Sequence, residues 1–133
     1  MHQRRRLKIF FDGGCRPNPG ALEAAVVARG SVYFFDDLGH GTSSDAEWLA
    51  LRLALRLAQS HGETDFDLVG DSLNVIRQAC GSSRPSSPAA AYHLAKYQEC
   101  AAMGRPRRLI WTPRRQNLAG IALAARRNGK QDL

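Results

Sequence analysis

The chain has 133 residues, 44% of them hydrophobic and 23% charged, with a formal net charge of +7. That size and apolar content support a single domain spanning 1–133 with one core. No stretch approaches the roughly 18 consecutive apolar residues of a membrane span, and no apolar secretory segment follows the Arg-rich start, so cytoplasmic residence is the default expectation. Cys15, Cys80 and Cys100 form no Cys-x-x-Cys pair and no metal-ligand spacing, and they read as reduced thiols.

Charge is unevenly placed. Residues 104–133 carry eight basic residues, Arg114, Arg115, Arg126 and Arg127 among them, against Asp132 alone. Arg4, Arg5, Arg6 and Lys8 open the chain, while residues 9–103 hold seven basic and eleven acidic residues. Basic ends around an acidic centre suit a polyanion held by its phosphates. The plainer alternative is a solvated surface rich in arginine.

The nearly continuous apolar run over 7–12 predicts a strand buried on both faces, closed by the glycine turn Asp12-Gly13-Gly14. Pro17-Asn18-Pro19-Gly20 is a rigid turn, and the runs 21–29 and 31–35, split by Gly30, predict a hairpin. Residues 36–41 form a loop. Thr42, Ser43 and Ser44 are candidate N-caps for a helix over 43–60, with Leu49, Leu53 and Leu57 at i, i+4, i+8 spacing. A strand over 66–70, a short helix over 72–80, a proline-rich loop and a helix over 89–102 follow. A last strand over 107–112 and a closing helix from Gln116 to Asn128 complete the order β-β-β-α-β-α-α-β-α. That order gives an α/β domain: an antiparallel meander, then two strands joined through helical crossovers.

Asp12 and Asp71 close strand-like runs, and Glu47 lies on the first turns of a helix, so the three acids can converge at one sheet edge. Three carboxylates gathered there would repel by a few kcal/mol at an effective dielectric of roughly 20, and a divalent cation is the natural counter-charge. The bland alternative is three unrelated surface acids.

Four segments carry a resemblance. Phe11 to Gly20 (Phe-Asp-Gly-Gly-Cys-Arg-Pro-Asn-Pro-Gly) and Thr42 to Leu51 (Thr-Ser-Ser-Asp-Ala-Glu-Trp-Leu-Ala-Leu) are followed by Gly70-Asp71-Ser72 and by Trp111-Thr112-Pro113-Arg114-Arg115-Gln116-Asn117 with Leu123-Ala124. In this order and spacing they resemble type 1 ribonuclease H over nearly the whole chain. The resemblance implies a five-stranded mixed sheet flanked by helices and metal-dependent hydrolysis of the RNA strand of RNA–DNA hybrids by a monomer. It also implies two Mg²⁺ or Mn²⁺ ions, with Asp12, Glu47 and Asp71 as catalytic metal ligands and Asp12 shared between the ions. Gly13, Gly14, Cys15, Asn18, Ser43, Ser44, Arg114, Arg115 and Asn117 are the implied substrate contacts, reading 2′-hydroxyls and phosphates rather than bases.

Departures accompany the match. The family pattern places a fourth aspartate four residues after Asn117, where this chain has Ile121, preceded by Gly120. No histidine lies between Trp111 and Asn117. Leu118, Ile121, Ala122 and Ala125 also fit a helix face packed on the sheet. Two rivals therefore stand beside the enzyme: a hybrid- or double-stranded-RNA-binding domain of the same fold without turnover, and a related nuclease with another substrate.

Overall fold

Antiparallel strands β1 (Leu7–Cys15), β2 (Gly20–Ala28) and β3 (Ser31–Phe35) begin the fold, and the two-residue β4 (His40–Gly41) pairs with the start of β2. Then come α1 (Ser43–Ser60), β5 (Phe66–Gly70), α2 (Leu73–Ala79), α3 (Pro88–Ala101), β6 (Arg108–Trp111), a 3₁₀ turn (Arg114–Gln116) and α4 (Leu118–Gln131). The computed structural model describes residues 6–131. Arg4 and Arg5 of the basic start, the side chain of Lys130, and Asp132 lie outside the described residues.

The sheet order is β3-β2-β1-β5-β6, with β5 parallel to both β1 and β6. This is the expected five-stranded mixed sheet, with β4 as a short addition beside β2. Strand alternation divides the core. Ile9, Phe11, Ala24 and Val26 face α1, α2 and α3, whereas Phe10, Ala25 and Val27 face Ala119, Ala122 and Leu123 of α4. Helices thus cover both faces of the sheet.

Helix α1 starts where the sequence places it because Thr42 and Asp45 form a reciprocal cap. Thr42 Oγ1 accepts from the Asp45 amide at 3.2 Å, and Asp45 Oδ2 accepts from the Thr42 amide at 2.9 Å. Its buried residues include Ala50, Leu51, Ala54, Leu55 and Ala58. Leu49, Leu53 and Leu57, the expected stripe, are only half-buried. The alanines let the helix axis approach the sheet, leaving the leucine row along its flank.

Two expectations change. β1 does not end in a turn at Asp12-Gly13-Gly14. It runs on to Cys15, and Asp12, Gly13 and Gly14 pair with Ala25, Ala24 and Glu23 of β2. Glycine reads as a turn signal in sequence, but at Gly13 it makes room. A Cβ there would stand 2.1 Å from the Ala46 carbonyl oxygen, so only glycine lets the first turn of α1 sit on the strand. On α4, Ile121 and Leu118 are 48% and 47% exposed, so neither is core. The helix is turned to bury Ala119 and Leu123 instead.

Candidate active site

The packing of α1 on Gly13 brings Glu47 to β1. Glu47 Oε1 accepts from the Gly13 amide at 3.3 Å, and its other oxygen, Oε2, is buried without a hydrogen-bond partner. Asp71 follows the last residue of β5, the strand parallel to β1, so its carboxylate reaches the same edge. Asp12, Glu47 and Asp71 each offer one oxygen, and these oxygens lie within 4.8 Å of one another.

Asn117 holds the group together from behind. Its Nδ2 donates to Asp71 Oδ2 at 2.9 Å and to the Phe11 carbonyl at 3.0 Å. Its Oδ1 accepts from the Ala119 amide at 3.1 Å, starting α4. The expected substrate contact at Asn117 is therefore corrected. The side chain is wholly buried and tied to three segments, so it positions Asp71 rather than meeting a ligand. Trp111 is half-exposed and donates its indole N–H to the Asp71 carbonyl at 3.1 Å.

The electrostatics follow from burial and crowding. Burial, chiefly, pushes the Asp12 carboxyl up to about 6, and Asp71 adds to the rise. The neighbouring Glu47 carboxyl and the positive charges of Arg114 and Arg127 oppose it. Glu47 is raised well above the usual glutamate range, first by burial, then by Asp12 and Asp71. Clustered carboxylates destabilised as anions and backed by an orphaned buried oxygen form an all-oxygen donor set. Such a set fits a hard divalent cation of the Mg²⁺ type.

The acids lie in a cleft of about 550 Å³, whose walls include Gly13, Gly14, Cys15, Ser43, Ser44 and Arg114. Asn18 stands just behind, donating to Ser43 Oγ and accepting from the Ser43 amide, both at 3.1 Å. Arg115 is exposed and not on the cleft wall, unlike its neighbour Arg114. Ile121 is likewise off the wall. The residue that α4 presents to the acids is Gly120, whose Cβ, if it had one, would lie 3.3 Å from Asp12 Oδ2 and 3.6 Å from Asp71 Oδ2.

Sequence reasoning missed four polar residues of the cleft, Arg16, Ser72, Asn74 and Arg127, besides its α4 wall. Ser72 accepts from the Val75 amide as the N-cap of α2. Arg127 is seven residues after Gly120, two helical turns, so helical phase alone puts both on one face.

Comparison with known proteins agrees with this geometry. A family model described as reverse transcriptase-like matches residues 10–127. A ribonuclease HI of Halobacterium salinarum is 34% identical over 92 residues, which are 62% of this chain and 44% of that protein. The match thus spans less than half the length of the curated relative. The crystal structure of RNase H1 from Halobacterium salinarum superposes with a TM-score of 0.73 at 29% identity, covering 91% of this chain and 99% of that one. The N-terminal RNase H domain of a Mycobacterium tuberculosis protein, solved as a fusion with maltose binding protein, gives 0.74 at 28% identity, with 88% and 94% covered. With the sheet order, the acidic cluster and the family match in agreement, this chain belongs to the reverse transcriptase-like family as a type 1 ribonuclease H member.

Proposed function

We propose that the chain is an endoribonuclease that hydrolyses the RNA strand of RNA–DNA hybrids, using divalent metal held by Asp12, Glu47 and Asp71. The observation that carries this reading is the convergence of three carboxylate oxygens within 4.8 Å, with Glu47 Oε2 buried and unpartnered. Bound there as a pair, Mg²⁺ or Mn²⁺ would acidify an attacking water and stabilise the leaving oxygen. With three acidic ligands among the described residues, water and phosphate oxygens would complete the coordination, as is common for Mg²⁺.

The chain's own groups divide the remaining work. Asn117 orients Asp71, and the Gly13 amide fixes Glu47. Ser43, braced by Asn18, and Ser44 offer hydroxyls at the start of α1 where a minor-groove 2′-hydroxyl can be read. Arg114 meets a phosphate. The three cysteines are free, in keeping with a reducing cytoplasm. No helix among the described residues is long and apolar enough to cross a membrane.

The absence of a carboxylate at Gly120 and Ile121 favours the rival, a binding domain without turnover. Against that rival, three crowded acids with an orphaned oxygen burden a fold that never binds a cation. Strand-labelled substrates decide. With Mg²⁺ or Mn²⁺, the RNA strand of a hybrid should be cut, while its DNA strand and duplex DNA stay whole. Binding of the hybrid without cutting in either metal supports the rival.

A further inference from the structure

Arg127 reaches back along α4 to the floor of the cleft. Its guanidinium points Nη2 at Gly14, where a Cβ would come within 1.9 Å of that nitrogen and 3.1 Å of Cζ. Gly14 is two residues beyond Asp12 on β1, so both positions face α4, about 7 Å apart along the strand. Glu23, paired with Gly14 across β1 and β2, aims the guanidinium: Arg127 Nε donates to Glu23 Oε1 at 2.6 Å. Nη2 lies against the same oxygen off hydrogen-bond geometry and is a buried donor with no hydrogen-bond partner. The side chain lines the cleft with Asp12 and Gly120 and is 23% exposed.

We propose that Arg127 is a phosphate contact of the cleft, placing a fixed guanidinium on the α4 side of Asp12, where Gly120 leaves the wall without an acid. The proposal rests on the reading of the cleft as a hybrid-binding nuclease site. A guanidinium suits the task because it donates charge-assisted hydrogen bonds to phosphate oxygens and never loses its charge. Glu23 is its positioning residue. It holds the fork in one orientation before substrate arrives, which limits the ordering cost of binding. Gly120 has a consequence here as well, because an acidic side chain on that wall would compete with phosphate for the same cation.

The test is metal-independent binding of an RNA–DNA hybrid in EDTA, measured over a salt series. Arg127→Ala should weaken binding roughly tenfold and lower the log–log salt slope by about one, the loss of a single phosphate contact. Gly14→Ala keeps every charge but forces the guanidinium off its seat, and it too should weaken binding. Arg107→Ala removes an equally charged, ion-paired arginine near the opposite sheet edge and should match the wild type. Arg127→Ala with wild-type affinity and slope, even at a lower melting temperature, would reduce the residue to a strut between α4 and β2 and overturn the proposal. Should Arg127→Ala fail to fold, a Gly14→Ala chain that binds like the wild type overturns it equally. An equal loss in Arg107→Ala overturns it too, by making the effect one of bulk charge. A wild-type chain that does not bind hybrid at all sinks the nuclease reading together with the inference.

Discussion

Asn117 Nδ2 lies 2.9 Å from Asp71 Oδ2, and the same nitrogen holds the Phe11 carbonyl one residue before Asp12. One buried amide thus ties two of the three acids to the start of α4. Asn117→Ala should cost about 1–3 kcal/mol of fold stability, because the Phe11 carbonyl and the Ala119 amide lose their partner inside the protein. Cleavage should fall further than stability explains, since Asp71 is then free to turn. Urea unfolding beside single-turnover rates separates the two effects, and unchanged cleavage in a destabilised chain would deny Asn117 its positioning role.

The acids should make metal-free stability depend on pH. Asp12 and Glu47 are both raised in the folded state, Asp12 to about 6. A raised carboxyl contributes stability that is fully present below its unfolded value and is lost as pH rises through the folded one. In EDTA the protein should therefore lose stability between about pH 4 and pH 7, by about 3 kcal/mol for the Asp12 shift alone. Arg114 and Arg127 moderate the loss and Asp71 deepens it. Mg²⁺ should restore the stability at pH 7 to 8, and Asp12→Asn should flatten the EDTA profile. Denaturation midpoints across pH check the sign.

A second titration runs the other way. Burial alone would raise Asp45, but the Thr42 amide and hydroxyl and the His93 ring, 2.8 Å away, hold it below its usual value. Its contribution is present above the unfolded value near pH 4 and is lost as pH falls through the folded one. Asp45→Ala removes the cap of α1 and the tie to α3. It should cost about 1–2 kcal/mol at pH 7 and much less at pH 3. An equal cost at both values would contradict the charge-based account.

Position 121 offers a test of helix phase. Because Ile121 is half-exposed and off the cleft wall, Ile121→Asp should change stability by no more than about 0.5 kcal/mol and leave Mg²⁺ affinity as it was. Gly120→Ala sets a Cβ against the Asp12 and Asp71 carboxylates. It should lower metal affinity even as alanine favours the helix by up to about 1 kcal/mol. Calorimetric Mg²⁺ or Mn²⁺ titration reads both. Tighter binding by Ile121→Asp would show that α4 presents residue 121 to the acids in solution.

Much of this is legible in the sequence. The 43–60 bounds of α1 match the structure because Thr42, one of the three cap candidates, is a local signal read within one turn. The approach of Asp71 and Glu47 follows from a strand end and a helix start, which sequence marks well, whereas Asp12 joins them from within β1. Gly13-Gly14 misled because a turn and a close approach call for the same residue. The need at Gly13 comes from the Ala46 carbonyl, 33 positions away in the chain. Ile121 misled because the apolar positions of α4 do not fix which side meets the sheet. Burial of Ala119 and Leu123 decides that, and the same rotation carries Gly120 and Arg127 into the cleft. Glu23 was invisible as a partner until strand register set it beside Gly14.

The proposed activity is that the Asp12, Glu47 and Asp71 cluster cuts RNA paired to DNA. It is met most directly by single-turnover cleavage of an RNA-labelled hybrid in Mg²⁺ and in Mn²⁺, comparing the wild type with a folded Asp12→Asn chain. The expected result is metal-dependent cutting by the wild type and a loss of at least about 100-fold in Asp12→Asn, more than about 2.7 kcal/mol of transition-state stabilisation. Cutting by Asp12→Asn at a rate near the wild type's would contradict it.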